Sequence, residues 1–473
     1  MDTQYEKITA MVEKHRKLIL DAEKYIWKHP EIGYKEWKTS AYLEERFREL
    51  GYCVHTTRGI PGFTAIFDTG VPGPTVAVMG ELDALICETH PDANPDTKAV
   101  HACGHLVQTS AMLGVAAAIR EPEVSQGLSG CVKFIAVPAE ETIDLEYRDK
   151  LIADGIIKYV AGKIEFMYRG LFDDVDMAMM IHADTEPDKL FKLIDGCDGC
   201  ITKHIEYKGT AAHAGGAPYK GVNALYAATL GMDACNALRE TFREKDYVRY
   251  HPIITKGGSA ANAIPDLVKM DTYVRAADLK TMLDVNVKIN RALAAAAAAI
   301  GANVVIEDKP GNLPFHSSRE MNQIFAEVVE KLFGRDQIIY AGWDTQSSDI
   351  GDLSTVIPLI QPLCMGASGT QHGEDYAISD LDKAVINPAK AMTCMLYELL
   401  RDHAAVAKKV MENYKPLYAD KKDFFKTIDR IAITKELIKN NPDGTVTLDF
   451  HNPNFHTKPQ NSGGKRSRKT KKS

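Results

Sequence analysis

Cys131-Val132-Lys133-Phe134-Ile135-Ala136-Val137 is apolar at every position but one and is built from side chains that favour extended backbone. A run of this length and composition reads as a buried strand. Similar short runs surround it: Phe63-Thr-Ala-Ile-Phe67, Thr75-Val-Ala-Val-Met79 and Met177-Ala-Met-Met-Ile181. An apolar helix over 107–120 separates the second from the seven-residue run, and helical patterns over 5–29 and 38–50 precede them all. Strands alternate with helices, and the central strands are almost continuously apolar. That combination predicts an α/β sheet covered on both faces.

Near residue 199 the texture changes. Ile201-Thr-Lys-His-Ile-Glu-Tyr207 and Val268-Lys-Met-Asp-Thr-Tyr-Val274 alternate as half-exposed strands do. Helices over 222–239 and through the alanine run 294–299, then a strand over 303–307, complete a small α+β layer. After 310 the first texture resumes, with helices over 320–333 and 383–403. The pattern predicts a catalytic domain in two pieces, 1–198 and 310–404, interrupted by an inserted domain over 199–309. An extension, 405–473, follows; no motif is legible in it.

The 473 residues are 45% hydrophobic and 26% charged, which excludes disordered and fibrous classes. The net charge of −7 is unevenly spread: six basic residues fall in Lys465–Ser473, leaving −13 on the rest. An acidic body argues against nucleic-acid binding, and the basic end reads as a disordered tail. No apolar run approaches membrane-spanning length, and the opening residues are polar, so the expected location is cytoplasmic, with no membrane partner. Nine scattered cysteines read as reduced thiols. Cys197-Asp-Gly-Cys200 is half of a structural zinc site at most; two buried residues beside a turn is the plainer reading.

The chemistry concentrates in a few places. In His101-Ala-Cys103-Gly-His105 a thiol and an imidazole two residues apart can face one metal, with Gly104 allowing the turn; incidental histidines beside a buried cysteine explain it equally well. Val137-Pro-Ala-Glu140-Glu141 ends a buried strand with two acids whose side chains diverge, so that one can bind metal while the other faces substrate. Met179-Met-Ile-His182 brings an imidazole to the same sheet edge, where α/β folds place their sites. Gly369-Thr-Gln-His372-Gly-Glu-Asp375 sets another histidine in a glycine-flanked loop.

Together with Glu81-Leu-Asp83-Ala-Leu85, Gly209-Thr-Ala-Ala-His213-Ala-Gly and Gly257-Gly-Ser-Ala-Ala-Asn262-Ala-Ile-Pro-Asp266, these motifs resemble the aminoacylase/carboxypeptidase-type metallopeptidases. Within them the amidohydrolase branch, which includes p-aminobenzoyl-glutamate hydrolases and N-acyl amino acid hydrolases, is the most similar. The resemblance covers roughly residues 10–400. It implies a di-metal catalytic domain with a mixed sheet flanked by helices, interrupted by an α+β lid that also makes a homodimer. It implies metal ligation by Cys103, His105, Glu141, His182 and His372, with Cys103 near or between two divalent ions. It further implies a general base in Glu140, an acid behind a ligand histidine in Asp83, and groups reaching a neighbouring active site across the dimer in His213 and Asn262. Thiolate and imidazole donors favour zinc, with manganese or cobalt open.

The implied reaction is amide hydrolysis of an N-acyl or N-aroyl amino acid or a dipeptide-like substrate. Two departures stand out. The branch continues the cysteine motif as His-Asp-small-His, whereas this chain has His105-Leu106-Val107-Gln108, so a partner near the metal is replaced. The stretch 143–173, charged and aromatic, lengthens the path from Glu141 to His182 and is expected to cover the pocket. Alternatives are a catalytically inactive metal-binding scaffold or a thiol hydrolase using Cys103 and His105; residues i and i+2 rarely meet the geometry of the latter. No G-x-G-x-x-G lies between a strand and a helix, which speaks against a dinucleotide enzyme.

Overall fold

The computed structural model describes residues 3–185 and 188–449; the basic tail at 465–473 lies outside them. At its centre is a six-stranded mixed sheet with the spatial order Val54–Thr56, Phe63–Asp68, Cys131–Val137, Thr75–Glu81, Met177–Met179, Leu359–Ile360. Thr75–Glu81 runs parallel to both Cys131–Val137 and Met177–Met179, whereas Phe63–Asp68 is antiparallel to Cys131–Val137. Glu81 pairs with Val137, so the residues after these strands emerge side by side at one edge. Every residue of the helix His105–Ile119 is buried. It approaches Thr75–Glu81 closely: a Cβ on Gly80 would lie 2.9 Å from Thr109 Cγ2.

The helices Thr3–Lys14, Arg16–Lys28, Trp37–Glu49, Arg319–Phe333 and Asn387–Asn413 join His105–Ile119 in one apolar core. The single helix expected over 5–29 is broken at His15. The expected strand over 177–181 is shortened: Met177–Met179 lies in the central sheet, and a separate strand, His182–Ala183, pairs with Leu363–Cys364 in a second, five-stranded sheet. His182 therefore sits where the chain leaves one sheet for another.

A third, antiparallel sheet is the lid. Its order is Arg249–Tyr250, Leu267–Ala276, Gly199–Lys208, Asn303–Asn312, Ile433–Asn440, Val446–Leu448, with Ile253–Lys256 also beside Leu267–Ala276. Alternate residues of the central strands face inward (Ile201, Ile205 and Tyr207; Val268, Met270 and Val274), against the helices Ala224–Ala237 and Leu279–Ile300. Ala294, Ala296 and Ala297 of the alanine run are buried at that contact.

Two segments differ from a simple insertion. Residues 143–173 fold into the helices Leu145–Ala153 and Gly162–Tyr168. Their apolar side chains belong to one core with Met79 and Val137 of the central sheet and Ile201 and Val274 of the lid. The stretch after 404, illegible in the sequence, forms the helix Lys421–Ile431 and then adds Ile433–Asn440 to the lid beside Asn303–Asn312. A bulge in that pairing turns adjacent Leu437 and Ile438 both inward, which removes the alternation by which a strand is recognised.

Candidate metal centre

The edge at which the central strands end collects the chemistry. Asp83 follows Thr75–Glu81, Glu140 and Glu141 follow Cys131–Val137, and His182 lies beyond Met177–Met179. Gly104, at φ +89°, caps the helix His105–Ile119; a Cβ there would collide with Tyr376 Oη, so only glycine lets Cys103 and His105 approach together. Ala139 and His372 also have positive φ, +57° and +65°. Backbone strain of this kind gathers where side chains are aimed for function.

Ligand atoms of Cys103, His105 and His182 lie within 4.8 Å of one another, and so do those of Cys103, Glu141 and His372. The two groups share the Cys103 sulfur. Sγ is 3.5 Å from His182 Nε2, and His372 Nε2 is 3.3 Å from Glu141 Oε1. His105 donates from Nδ1 to the Asp83 carbonyl at 2.9 Å, and His182 from Nδ1 to the Ala183 carbonyl at 2.9 Å. Each ring therefore keeps its Nε2 lone pair for the interior of the group. Asp83 does more: Oδ1 is 3.2 Å from His105 Nδ1, while Oδ2 accepts the Glu141 N–H at 2.8 Å. One buried carboxylate thus fixes residues from both groups.

Glu140 stands beside them, with Oε2 3.9 Å from His105 Nε2. Burial, then the charges of Glu81, Asp349 and Glu141, push its carboxyl well above the ordinary range. Burial likewise pushes the Cys103 thiol up to about 12. Burial alone would lower the His105 imidazole, but Cys103, Glu81 and Asp83 outweigh it and raise it. A buried site with this much concentrated negative potential favours cations. His105 Nε2 and Glu141 Oε1 are buried and make no hydrogen bond, although Glu81 Oε2 and His372 Nε2 stand 3.1 and 3.3 Å from them; buried donor atoms facing one another in this way fit a metal site. Thiol, imidazole and carboxylate donors in two sets suit a pair of divalent ions.

His213 and Asn262 are not with this group. Both are exposed on the lid, where Ala214 N–H donates to the Asn262 carbonyl at 2.9 Å and His213 Nδ1 accepts from Gly216 N–H at 2.8 Å. Neither lines the two cavities that adjoin the centre. The first, about 400 Å³, includes Cys103, Glu140, His182, Arg275 and Asp344; the second, about 520 Å³, lies between residues 142–161 and the lid sheet. The inserted stretch thus walls the second cavity. Arg275 lines both, and its buried Nε has no partner. Cys197 and Cys200 are free thiols, one facing each cavity.

Several contacts were not legible in sequence. Arg148, fully buried, donates to the Glu141 carbonyl and, at 2.8 Å, to that of Val160. Lys163, also fully buried, bridges Glu81 and Asp349. Both come from the charged inserted stretch, where nothing local distinguishes a buried cation from a solvated one. Leu106, in place of the branch's aspartate, is core; Gln108, one turn after His105, hydrogen-bonds Glu81 instead.

Among known proteins, the model of peptidase family M20/M25/M40 matches residues 77–398. The Xaa-Arg dipeptidase of Mus musculus is 30% identical over 74% of this chain and 77% of its own length. A p-aminobenzoyl-glutamate hydrolase polypeptide of Escherichia coli is 29% identical over 59% of this chain and 55% of its own. Among solved structures, a putative aminohydrolase of Staphylococcus aureus superposes with a TM-score of 0.71 at 19% identity, covering 84% of this chain and all of that one. A dinuclear metal-binding peptidase of Bacillus subtilis follows at 0.64 and 18%, covering 82% and 99%. The chain belongs to peptidase family M20/M25/M40, and it is a hydrolase of amide bonds.

Proposed function

We propose that this enzyme uses two divalent metal ions to cleave the amide of an N-acyl or N-aroyl amino acid or of a dipeptide. The observation that carries the reading is the convergence of five dispersed donors in two sets around one thiol, with a sixth group, Glu140, beside them. In this reading Cys103, His105 and His182 hold one ion, Glu141 and His372 hold the other, and Cys103 serves both. Zinc suits the thiolate and imidazoles best, with manganese or cobalt tolerated. When bound, such a pair acidifies water and polarises the scissile carbonyl.

The remaining work belongs to the chain. Glu140 takes the water's proton and returns it to the leaving amine. Asp83 keeps His105 in the right tautomer and Glu141 in place. Arg275, with an unpartnered Nε between the two cavities, pairs with the substrate carboxylate. The relatives named for Xaa-Arg dipeptides, p-aminobenzoyl-glutamate and, in Enterobacter agglomerans, indole-3-acetyl-aspartic acid support substrates that carry such a group.

We assign the lid to 199–309, between catalytic pieces 1–198 and 310–404, with the extension from 405 returning to it. His213 and Asn262 then act on a second copy, as donors to the oxyanion of the neighbouring site. Tyr219, Tyr226 and Leu230, exposed around the helix Ala224–Ala237, support a homodimer through the lid. Among the described residues no helix is long and apolar enough to cross a membrane. Nine free thiols favour a cytoplasmic setting.

Chelation followed by reconstitution with zinc, manganese or cobalt tests the core of this reading on a panel of acyl-amino acids, dipeptides and p-aminobenzoyl-glutamate. Hydrolysis should vanish with the metal and return at about two ions per chain. Full activity in metal-stripped protein would refute it.

A further inference from the structure

Glu81 is a surplus donor at the centre. Its carboxylate, His105 Nε2 and the Glu140 carboxylate form a third group of ligand atoms within 4.8 Å of one another, and Glu81 Oε2 is 3.1 Å from His105 Nε2. A catalytic metal site keeps one position free for water or substrate, and an additional carboxylate at bonding distance would close it.

Both Glu81 oxygens are engaged elsewhere. Oε2 accepts from Gln108 Nε2 at 2.7 Å, and Gln108 Oε1 accepts the Glu81 N–H at 2.9 Å. Oε1 accepts from the Lys163 ammonium, which also donates to Asp349 Oδ1. Lys163 is fully buried, and its backbone N–H donates to Asp349 Oδ2 at 3.0 Å. An ammonium dried between two carboxylates holds them firmly, since no water competes for its protons. Gln108 comes from the helix His105–Ile119 and Lys163 from Gly162–Tyr168, so two separate elements converge on one side chain.

Building on the two-ion reading above, we propose that Lys163, with Gln108, withholds Glu81 from the metals and so keeps a coordination position open. Lys163 is a positioning residue, which makes the inserted stretch part of the metal centre's support as well as a cavity wall.

The test uses the intact chain loaded with cobalt. In K163M the Glu81 carboxylate, released on one side, turns into the coordination sphere: the visible cobalt absorption weakens as coordination number rises, and chelators remove the ion more slowly. Turnover falls by about tenfold or more, with KM little changed. K163R, which keeps charge and donors, retains the wild-type spectrum. Adding E81Q to K163M removes the surplus ligand and restores the spectrum and much of kcat. An unchanged spectrum in folded K163M, or a double variant no better than the single one, overturns the proposal. Should K163M fail to fold, E81Q decides alone: wild-type cobalt content and affinity support the proposal, and loss of an ion makes Glu81 a ligand and overturns it. Wild-type protein that binds no cobalt would instead sink the two-ion reading, an outcome separate from bound cobalt indifferent to residue 163.

Discussion

At the scale of single residues, Glu140 and His101 make separable predictions. Glu140 lies beside both of the ligand groups built on Cys103 without belonging to either. Glu140→Gln should lower kcat by roughly 10²–10⁴-fold while metal content, measured by elemental analysis, stays at the wild-type level. An inactive scaffold would show no such loss, having no turnover to lose. His101 is buried with neither ring nitrogen bonded, and burial, then His105, lowers its pKa to about 3. The unfolded chain, with histidine near its ordinary value of about 6.5, binds the proton more readily between those values. Its contribution to stability is therefore complete above about pH 6.5 and erodes by up to about 1.4 kcal/mol per pH unit as pH falls toward about 3. Metal-free protein followed by thermal melting should show that acid slope, and His101→Leu should flatten it. The five candidate donors that the structure brings together were expected from the family resemblance of the motifs combined, since each histidine or pair of glutamates alone is commonly structural. Sequence did not reach Lys163, Arg148 or Gln108, whose roles depend on partners far along the chain.

At the scale of elements, strands with regular patterns were legible and those with bulges were not. Cys131–Val137 and Leu267–Ala276 declare themselves by uniform or alternating burial. Ile433–Asn440 does not, yet it covers the edge of Asn303–Asn312 and is tied in by its preceding helix. Phe425 of that helix stacks on Tyr159 at 5.3 Å, and Lys421 pairs with Asp173. Truncation after Asn413 should uncover the strand edge and the apolar surface that Phe424 and Ile428 cover. The expected result is a lowered melting temperature and concentration-dependent aggregation in size-exclusion chromatography. A truncated chain as stable and monodisperse as the full one would show that the added strand is dispensable.

For the whole molecule, the homodimer proposed above gives the exposed His213 a role that mixing can test. If each catalytic centre borrows the histidine at this position from a second copy, mixing inactive H213A and E140Q chains by refolding should regenerate one complete site per mixed dimer. Activity would approach roughly a quarter of wild type for random pairing, and neither variant alone would show it. Mixtures that remain dead would place the oxyanion donor within one chain. The alternation of textures along the polypeptide made an interrupted α/β architecture legible. How its layers join was not, because the apolar core that runs from Met79 through Phe166 to Ile201 and Ile438 is assembled from residues with no common local pattern.

That last strand has a bearing on biosynthesis. Asn303–Asn312 leaves the ribosome well before Ile433–Asn440, its neighbour in the sheet, has been translated. A nascent chain therefore carries an unfinished hydrogen-bonding rim while residues 313–432 are being made, an interval in which an unpaired strand edge invites aggregation.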